Sequence, residues 1–332
     1  MTPASASLDP SIRADLLAAA RMTVVANGHL LVDGMPVGQP WASQDAQAGL
    51  LPDLAAALYS RWFAGWWPPA SLAQPTGDGP GIMAKVRAAH SATERFETGW
   101  IARAVDPLGA VVAIRAEEEL HLYPPDYVNL TRLAAPVRVG DSLAVTKRRD
   151  VTEPQDGWWL TWGASGPALT TSMLRVYWNS GAEGVVALVR AITTVLEDLD
   201  LPYTMKCPAD TALFGRADAL VLYLAPDVWR AAKAGLRGAY ERTAAHIRPA
   251  APPLTLRLAG GVALAEDPAN GSSFGQSRAW AVAEGVLEVL AAGLVATEDI
   301  IATLAASLRA HGISPARPYL SHDSPPDAVS GW

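Results

Sequence analysis

The chain has 332 residues, half of them hydrophobic and 18% charged, with a formal net charge of −7. It carries enough apolar material for two folded domains or one large one, and its composition excludes a disordered tail. The acidic balance argues against nucleic acid or an anionic membrane as the main partner, while leaving room for a local basic pocket.

The opening MTPASASLDPS lacks the basic residues and apolar run of a secretory signal. No apolar stretch anywhere approaches the roughly 20 residues that span a bilayer, so a cytoplasmic location is expected. Asp9 is placed to cap a helix with Pro10 in its first turn and Ile12, Leu16, Leu17 and Ala20 on its apolar face. MTVVANGHLLVDGMPV reads as β structure turning at Asn27-Gly28. A second helix is predicted from about Pro52 to Phe63. WWPPASLAQPTGDGPG, with Gly77, Gly79 and Gly81, reads as a linker because Pro and Gly at this density break regular structure.

A further helix is predicted from about Ile82. Then come WIARAV, AVVAIRAEEELHLY, SLAVTKRRDV and GWWLTWG, which alternate as antiparallel strands do. Trp158, Trp159 and Trp162 in the last of these read as core residues. The second half alternates strands and helices. SMLRVYWN, YTMKC and ADALVLYL are strand-like, LTLRLAGGVALAE is β-like, and GAEGVVALVRAITTVLEDL and VWRAAKAGLRGAYERTAAHI are amphipathic helices. Two more helices are expected between Arg278 and His311, separated near Thr297. The fold class expected is α+β, a mixed or mainly antiparallel sheet with helices packed on it. Residues 1–165 are expected as an N-terminal α+β region with a peptide-binding surface, and 166–332 as the region carrying the site.

Cys207 is the single cysteine, which excludes an intramolecular disulfide and multi-cysteine zinc sites. There is no GxxxxGK[ST] loop, no HExxH and no strand-to-helix GxGxxG. Gly271-Ser272-Ser273-Phe274-Gly275 fits GxSxG by letters, and Asp299, His311, His322 and Asp323 lie downstream. The polar EDPAN before it is not the buried strand that a nucleophile elbow requires, so a serine hydrolase ranks third among the readings.

Three segments place polar residues against propensity. In LRVYWN, Arg175, Tyr177 and Asn179 share one strand face, which either meets solvent or lines a polar site. In PYTMKCP, Lys206 lies between Met205 and Cys207. The chain uses 22 Arg and four Lys, and a lysine kept in an apolar strand either serves chemistry that Arg, unable to deprotonate, cannot, or snorkels from an edge strand. Lys85, Lys147 and Lys233 stand in solvated surroundings. In SSFGQSRAWAVAEG, Ser277 and Arg278 near a helix start make either an anion site or an ordinary cap.

The succession LRVYWNSGAEGVVALVRAITTVLEDLDLPYTMKCP, FGRADALVLYL and LAEDPANGSSFGQSRAWAVAEGV resembles the type III secretion effector family called HopA and its relatives in class V lanthipeptide and thioamitide gene clusters. The likeness runs from about Leu174 to Gly285 and is weaker from LYSRWF onward in the first half. It implies a lyase that removes phosphate from phosphothreonine or phosphoserine of a ribosomal precursor peptide, leaving dehydrobutyrine or dehydroalanine. The implied partners are that phosphorylated precursor and a separate protein kinase.

The implied chemistry assigns roles. Lys206 is the base, neutral at working pH through burial or nearby cations. Arg175, Arg278 and Arg216 hold the phosphate, with Ser277 beside them. Tyr177 and Asn179 are donors to the developing enolate, and His121 is the general acid if one is used. No metal or other cofactor is required by this scheme. Asp218, Glu266 and Asp267 are read as loop and capping residues, with Asp267 a candidate to orient an Arg. The competing reading is a non-catalytic phosphopeptide-binding or kinase-scaffolding protein, which needs the guanidiniums and not the lysine.

Overall fold

A computed structural model describes residues 8–41, 44–65, 79–92, 96–124, 126–146, 149–151, 157–170, 172–268, 271–321, 324–325 and 329–332. The chain opens with α1 (Pro10–Met22), whose Asp9 cap accepts from Ser11 N–H and whose Ile12, Leu16 and Ala19 are buried. β1 (Thr23–Ala26), β2 (His29–Val32) and β3 (Met35–Val37) form a three-stranded antiparallel sheet. Besides the expected Asn27-Gly28 turn, Asp33-Gly34 makes a second one, with positive φ at all four residues.

α2 (Gln44–Leu58) starts earlier than expected, contains Pro52 within it, and runs into a π-helical turn (Tyr59–Phe63). α3 (Gly79–Ala89) also starts early. Gly79 and Gly81 are therefore in its first turn and not in a linker, a place where Pro80 needs no intrahelical N–H partner. Gly77 lies outside the described residues.

β4 (Phe96–Val105), β5 (Val111–Arg115), β6 (Glu118–Leu122), β7 (Tyr127–Asn129) and β8 (Ser142–Thr146) make a five-stranded sheet in the order β6-β5-β4-β8-β7. Its small core holds Trp100, Val111, Leu122, Leu143 and Val145. The segment AVVAIRAEEELHLY is a hairpin, with Ala116 at positive φ in its turn.

The central sheet comprises β9 (Asp150–Val151), β10 (Trp158–Trp162), β11 (Leu174–Trp178), β12 (Thr204–Pro208), β13 (Leu220–Leu224), β14 (Leu256–Ala259) and β15 (Val262–Glu266), in the order β14-β15-β11-β13-β12-β10-β9. Its pairings are antiparallel, so the expected α+β class with a mainly antiparallel sheet holds. Helices α4 (Ala182–Asp198), α5 (Pro226–Thr243), α6 (Phe274–Ala291) and α7 (Thr297–Ala310) complete the fold.

Period-2 alternation gives this sheet two apolar faces. Val176, Trp178, Met205, Cys207, Leu220 and Leu222 face a core shared with Val185, Leu188 and Ile192 of α4 and Trp229 of α5. Tyr177, Val221 and Ala265 face a core shared with residues of α1, α2, α6 and α7. The division expected at 165/166 does not follow the packing. β10 pairs with β12 inside the central sheet, and α1 and α2 share the second core.

Candidate functional site

Residues opposite one another in an antiparallel ladder point to the same face. Tyr177 pairs with Val221, Val221 with Lys206 and Lys206 with Leu160. These four form one row across the second face. The neighbouring row joins Arg175, Tyr223, Thr204 and Trp162. Both β11 and β12 lie inside the sheet. The edge-strand alternative for Lys206 is thereby removed, and Tyr177, 2% exposed, does not meet solvent.

Lys206 Nζ stands 4.2 Å from the centroid of the Trp158 ring, and Arg216 Cζ stands 5.4 Å from the same centroid. Arg216 is nearly buried. It donates from Nε and Nη2 to the two carboxylate oxygens of Asp218 at 2.7 and 2.9 Å, and from Nη2 to Tyr59 Oη at 3.0 Å. Ala217 N–H donates to Ala64 O at 2.6 Å, which pins the end of the π-helical turn to this segment and carries Tyr59 to Arg216. Arg175 lies over the Tyr223 ring at 5.2 Å and pairs with Asp267 at 2.7 Å. The expectation that Asp267 orients an Arg is met there, whereas Asp218 is a partner of Arg216 and not merely a loop residue. Behind the cluster, Phe63, Tyr177 and Phe274 pack ring against ring, with centroids 5.9 to 6.4 Å apart.

The electrostatics follow from this crowding. Burial lowers the Lys206 amine, the Asp218 charge opposes the fall, and Arg175 and Arg216 add to it, leaving the group at about 8. For Arg216, burial is outweighed by Asp218 and Tyr59, so it stays firmly charged. For Arg175, burial is likewise outweighed by Tyr223, Tyr177 and Asp267. Burial raises the phenols of Tyr177 and Tyr223 and keeps them protonated. Among the described residues, Tyr177 Oη and Arg175 Nε are buried donors without a hydrogen-bond partner. Such groups cost about 1 to 3 kcal/mol each unless something accepts from them. The cluster thus offers an amine that can be neutral, two fixed cations, and donors in want of an acceptor.

Four expected site residues have other partners. His121 projects from β6 of the five-stranded sheet, its side chain 71% exposed and 3.6 Å from Glu119, so it does not belong to the lysine cluster. Asn179 lies one residue past the end of β11, and its Nδ2 donates to Ala250 O at 2.8 Å. Arg278 is 2% exposed. Its Nε and Nη2 donate to the carbonyls of Pro318 and Leu320, both at 2.9 Å, while its guanidinium lies over Phe274. Burial lowers it to about 10. Two of its nitrogens thus tie the segment around residues 318–320 onto α6, while its charge is felt by Tyr177 and Asp267 of the cluster. Ser277 accepts from Arg278 Nη1 at 3.3 Å and lines a cleft between α2 and α6 that Tyr59 also lines.

Ser273 is an N-cap in a complete capping box with Gln276, and the loop before α6 is no sharp strand-to-helix turn. The hydrolase reading therefore loses its elbow, and His311 pairs with Glu284. His322 and Asp323 lie outside the described residues.

Trp158 and Tyr59 were not singled out in the sequence as site residues, and Trp158 carries two cations where a core role was expected. Strand alternation puts Trp158 on the face of Leu160, and only the register of β10 against β12 reveals that this is the face of Lys206.

The HopA1 effector protein family model matches residues 154–320, half of the chain. The effector protein of Pseudomonas syringae pv. tomato strain DC3000 has a similar structure over 94% of this chain and 97% of its own, with TM-score 0.50 and 14% identity. The effector protein of Pseudomonas syringae pv. syringae strain 61 aligns over 83% and 93%, with TM-score 0.42 and 13% identity. At that identity the first likeness speaks for the fold alone. No curated protein matches this chain.

Proposed function

The chain belongs to the HopA1 effector protein family, and from that premise we propose that it is a lyase eliminating phosphate from phosphothreonine or phosphoserine in a peptide. In this reading the neutral Lys206 amine takes the Cα proton. The electron pair left behind forms the Cα=Cβ bond, the Cβ–O bond breaks, and its electrons leave with the phosphate. Dehydrobutyrine or dehydroalanine, inorganic phosphate and a lysine ammonium result. A separate kinase would supply the phosphorylated precursor peptide in the cytoplasm.

The observation that carries the reading is one lysine on an interior strand, sharing the Trp158 ring with Arg216, where burial and the neighbouring guanidiniums lower its pKa to about 8. A base that must be neutral and an anion that must be gripped have the same solution here, because the cations that hold phosphate also disfavour the ammonium. Arg216 uses Nε and Nη2 for Asp218 and Tyr59, which makes Nη1 the group offered to phosphate. Arg175 Nε and Tyr177 Oη, buried without partners among the described residues, would find acceptors in the phosphate or the substrate carbonyl.

The test is loss of phosphoric acid from a phosphothreonine peptide, followed by mass spectrometry. Lys206→Ala is expected to abolish it while leaving the thermal unfolding transition in place; full activity in that variant removes the proposal. A non-catalytic phosphopeptide-binding protein would use the same guanidiniums and leave Lys206 without a task. Wild-type protein that binds the phosphopeptide and releases nothing from it would select that reading.

A further inference from the structure

We propose that the cleft between α2, with its π-helical turn, and α6 seats the uncharged, apolar stretch of peptide flanking the phosphorylated residue. This inference rests on the lyase reading and adds the second half of its substrate.

The cleft holds about 550 Å³, within the size of ligand-binding clefts generally. Pro52, Ala55 and Ala56 supply small apolar groups and Trp280 a large one, with Gln276 and three serines as hydrogen-bonding groups around them. Trp280 is 41% exposed on a helix that is otherwise mostly buried. A large aromatic ring left open beside small apolar residues is an anchor for a partner side chain.

What identifies the occupant is continuity with the cluster. Tyr59 lines this cleft, stacks on Phe63 at 5.8 Å, and receives a hydrogen bond from Arg216. Tyr59 is thus common to cleft and cluster, and a residue next to one seated in the cleft lies on the Arg216 side of that ring. Gly275 lets α6 approach these two rings, since a Cβ there would stand 2.4 Å from Phe63 and 2.8 Å from Tyr59. The charges agree with this division of labour. The lining contains no carboxylate, guanidinium or ammonium, and its titratable groups are Tyr59 and His311, the latter already engaged by Glu284. Phosphate is the business of the cluster, and a charged flanking residue would find no counter-ion in the cleft.

The test is selection from a library of short peptides with phosphothreonine fixed at the centre and random flanks, alongside the unphosphorylated twin library. Wild type is expected to enrich apolar residues at one or two positions on one side of the phosphothreonine. Ala56→Trp, which fills the cleft from an exposed helix position, should lose that enrichment and bind an apolar-flanked phosphopeptide about tenfold more weakly. Its preference for phosphorylated over unphosphorylated peptide should survive. Trp280→Ala should act in the same direction without adding bulk. No flank preference in wild type, or a preference unchanged in both variants, overturns the proposal. So does a concentration-dependent dimer of wild type that Ala56→Trp abolishes with no effect on peptide selection. Flank selection by both libraries alike, lost in the variants, would keep the cleft and sink the phosphate reading instead.

Discussion

Lys206 is where residue chemistry and environment meet most directly. An amine at about 8 is neutral in about a tenth of molecules at pH 7 and in about half at pH 8. If it is the base, elimination from a phosphothreonine peptide rises with pH and levels off above an inflection near 8. The Asp218 carboxylate holds that value up, opposing burial and the two guanidiniums. Asp218→Asn keeps the shape and removes the charge, so the Lys206 pKa falls and the inflection moves to lower pH. A pH–rate profile that does not move, or moves upward, contradicts the assignment of the limb to Lys206. The same substitution removes a buried counter-charge from Arg216, so some loss of stability accompanies it.

At the scale of elements, α6 approaches the π-helical turn at Gly275. Ordinary helix propensity disfavours glycine by about 1 kcal/mol against alanine, so a gain would follow from Gly275→Ala if space allowed. It does not, because the added Cβ would meet the Phe63 and Tyr59 rings. Overpacking of this kind costs about 1 to 3 kcal/mol. Gly275→Ala is expected to lower the thermal midpoint and to weaken phosphopeptide binding, since displacing Tyr59 frees the Arg216 guanidinium from one of its supports. A variant as stable as wild type with unchanged binding would show that the two elements do not position the cluster. Arg278 plays a comparable part on the other side of α6, fastening residues 318 and 320 through their carbonyls.

Across the whole molecule, the two halves of the chain are not independent. β10 completes the ladder beside Lys206 and supplies Trp158, while α1, α2 and the π-helical turn cover the second face of the sheet. A fragment of residues 166–332 would expose Tyr177, Val221 and Phe274 to water and would leave the edge of β12 unpaired. We expect that fragment to be recovered aggregated or without a cooperative unfolding transition, as read by size-exclusion chromatography and calorimetry. A soluble fragment with a sharp transition would restore the boundary at 165/166. The family match begins at residue 154 and so includes β10 and Trp158.

Much was legible before any coordinates. Alternation in LRVYWN and LVLYL, the Asp9 cap and the helical stripes of α4 and α5 are local signals, written within a few residues of one another, and they led to an α+β chain with an unusual lysine. Lys206 and Arg175 could be singled out from their strands for the same reason, since residue type decides which group can give up a proton, whereas Arg216 entered only through the family resemblance. Partnership was not legible. Arg278 looks as good a phosphate ligand as Arg216 in one dimension, and His121 looks as good an acid as any histidine. Tyr59 and Lys206 stand far apart in sequence, and their nearness depends on strand register and on where the π-helical turn docks. Contacts of that range are chosen by the burial of two sheet faces at once, which no local window of sequence contains.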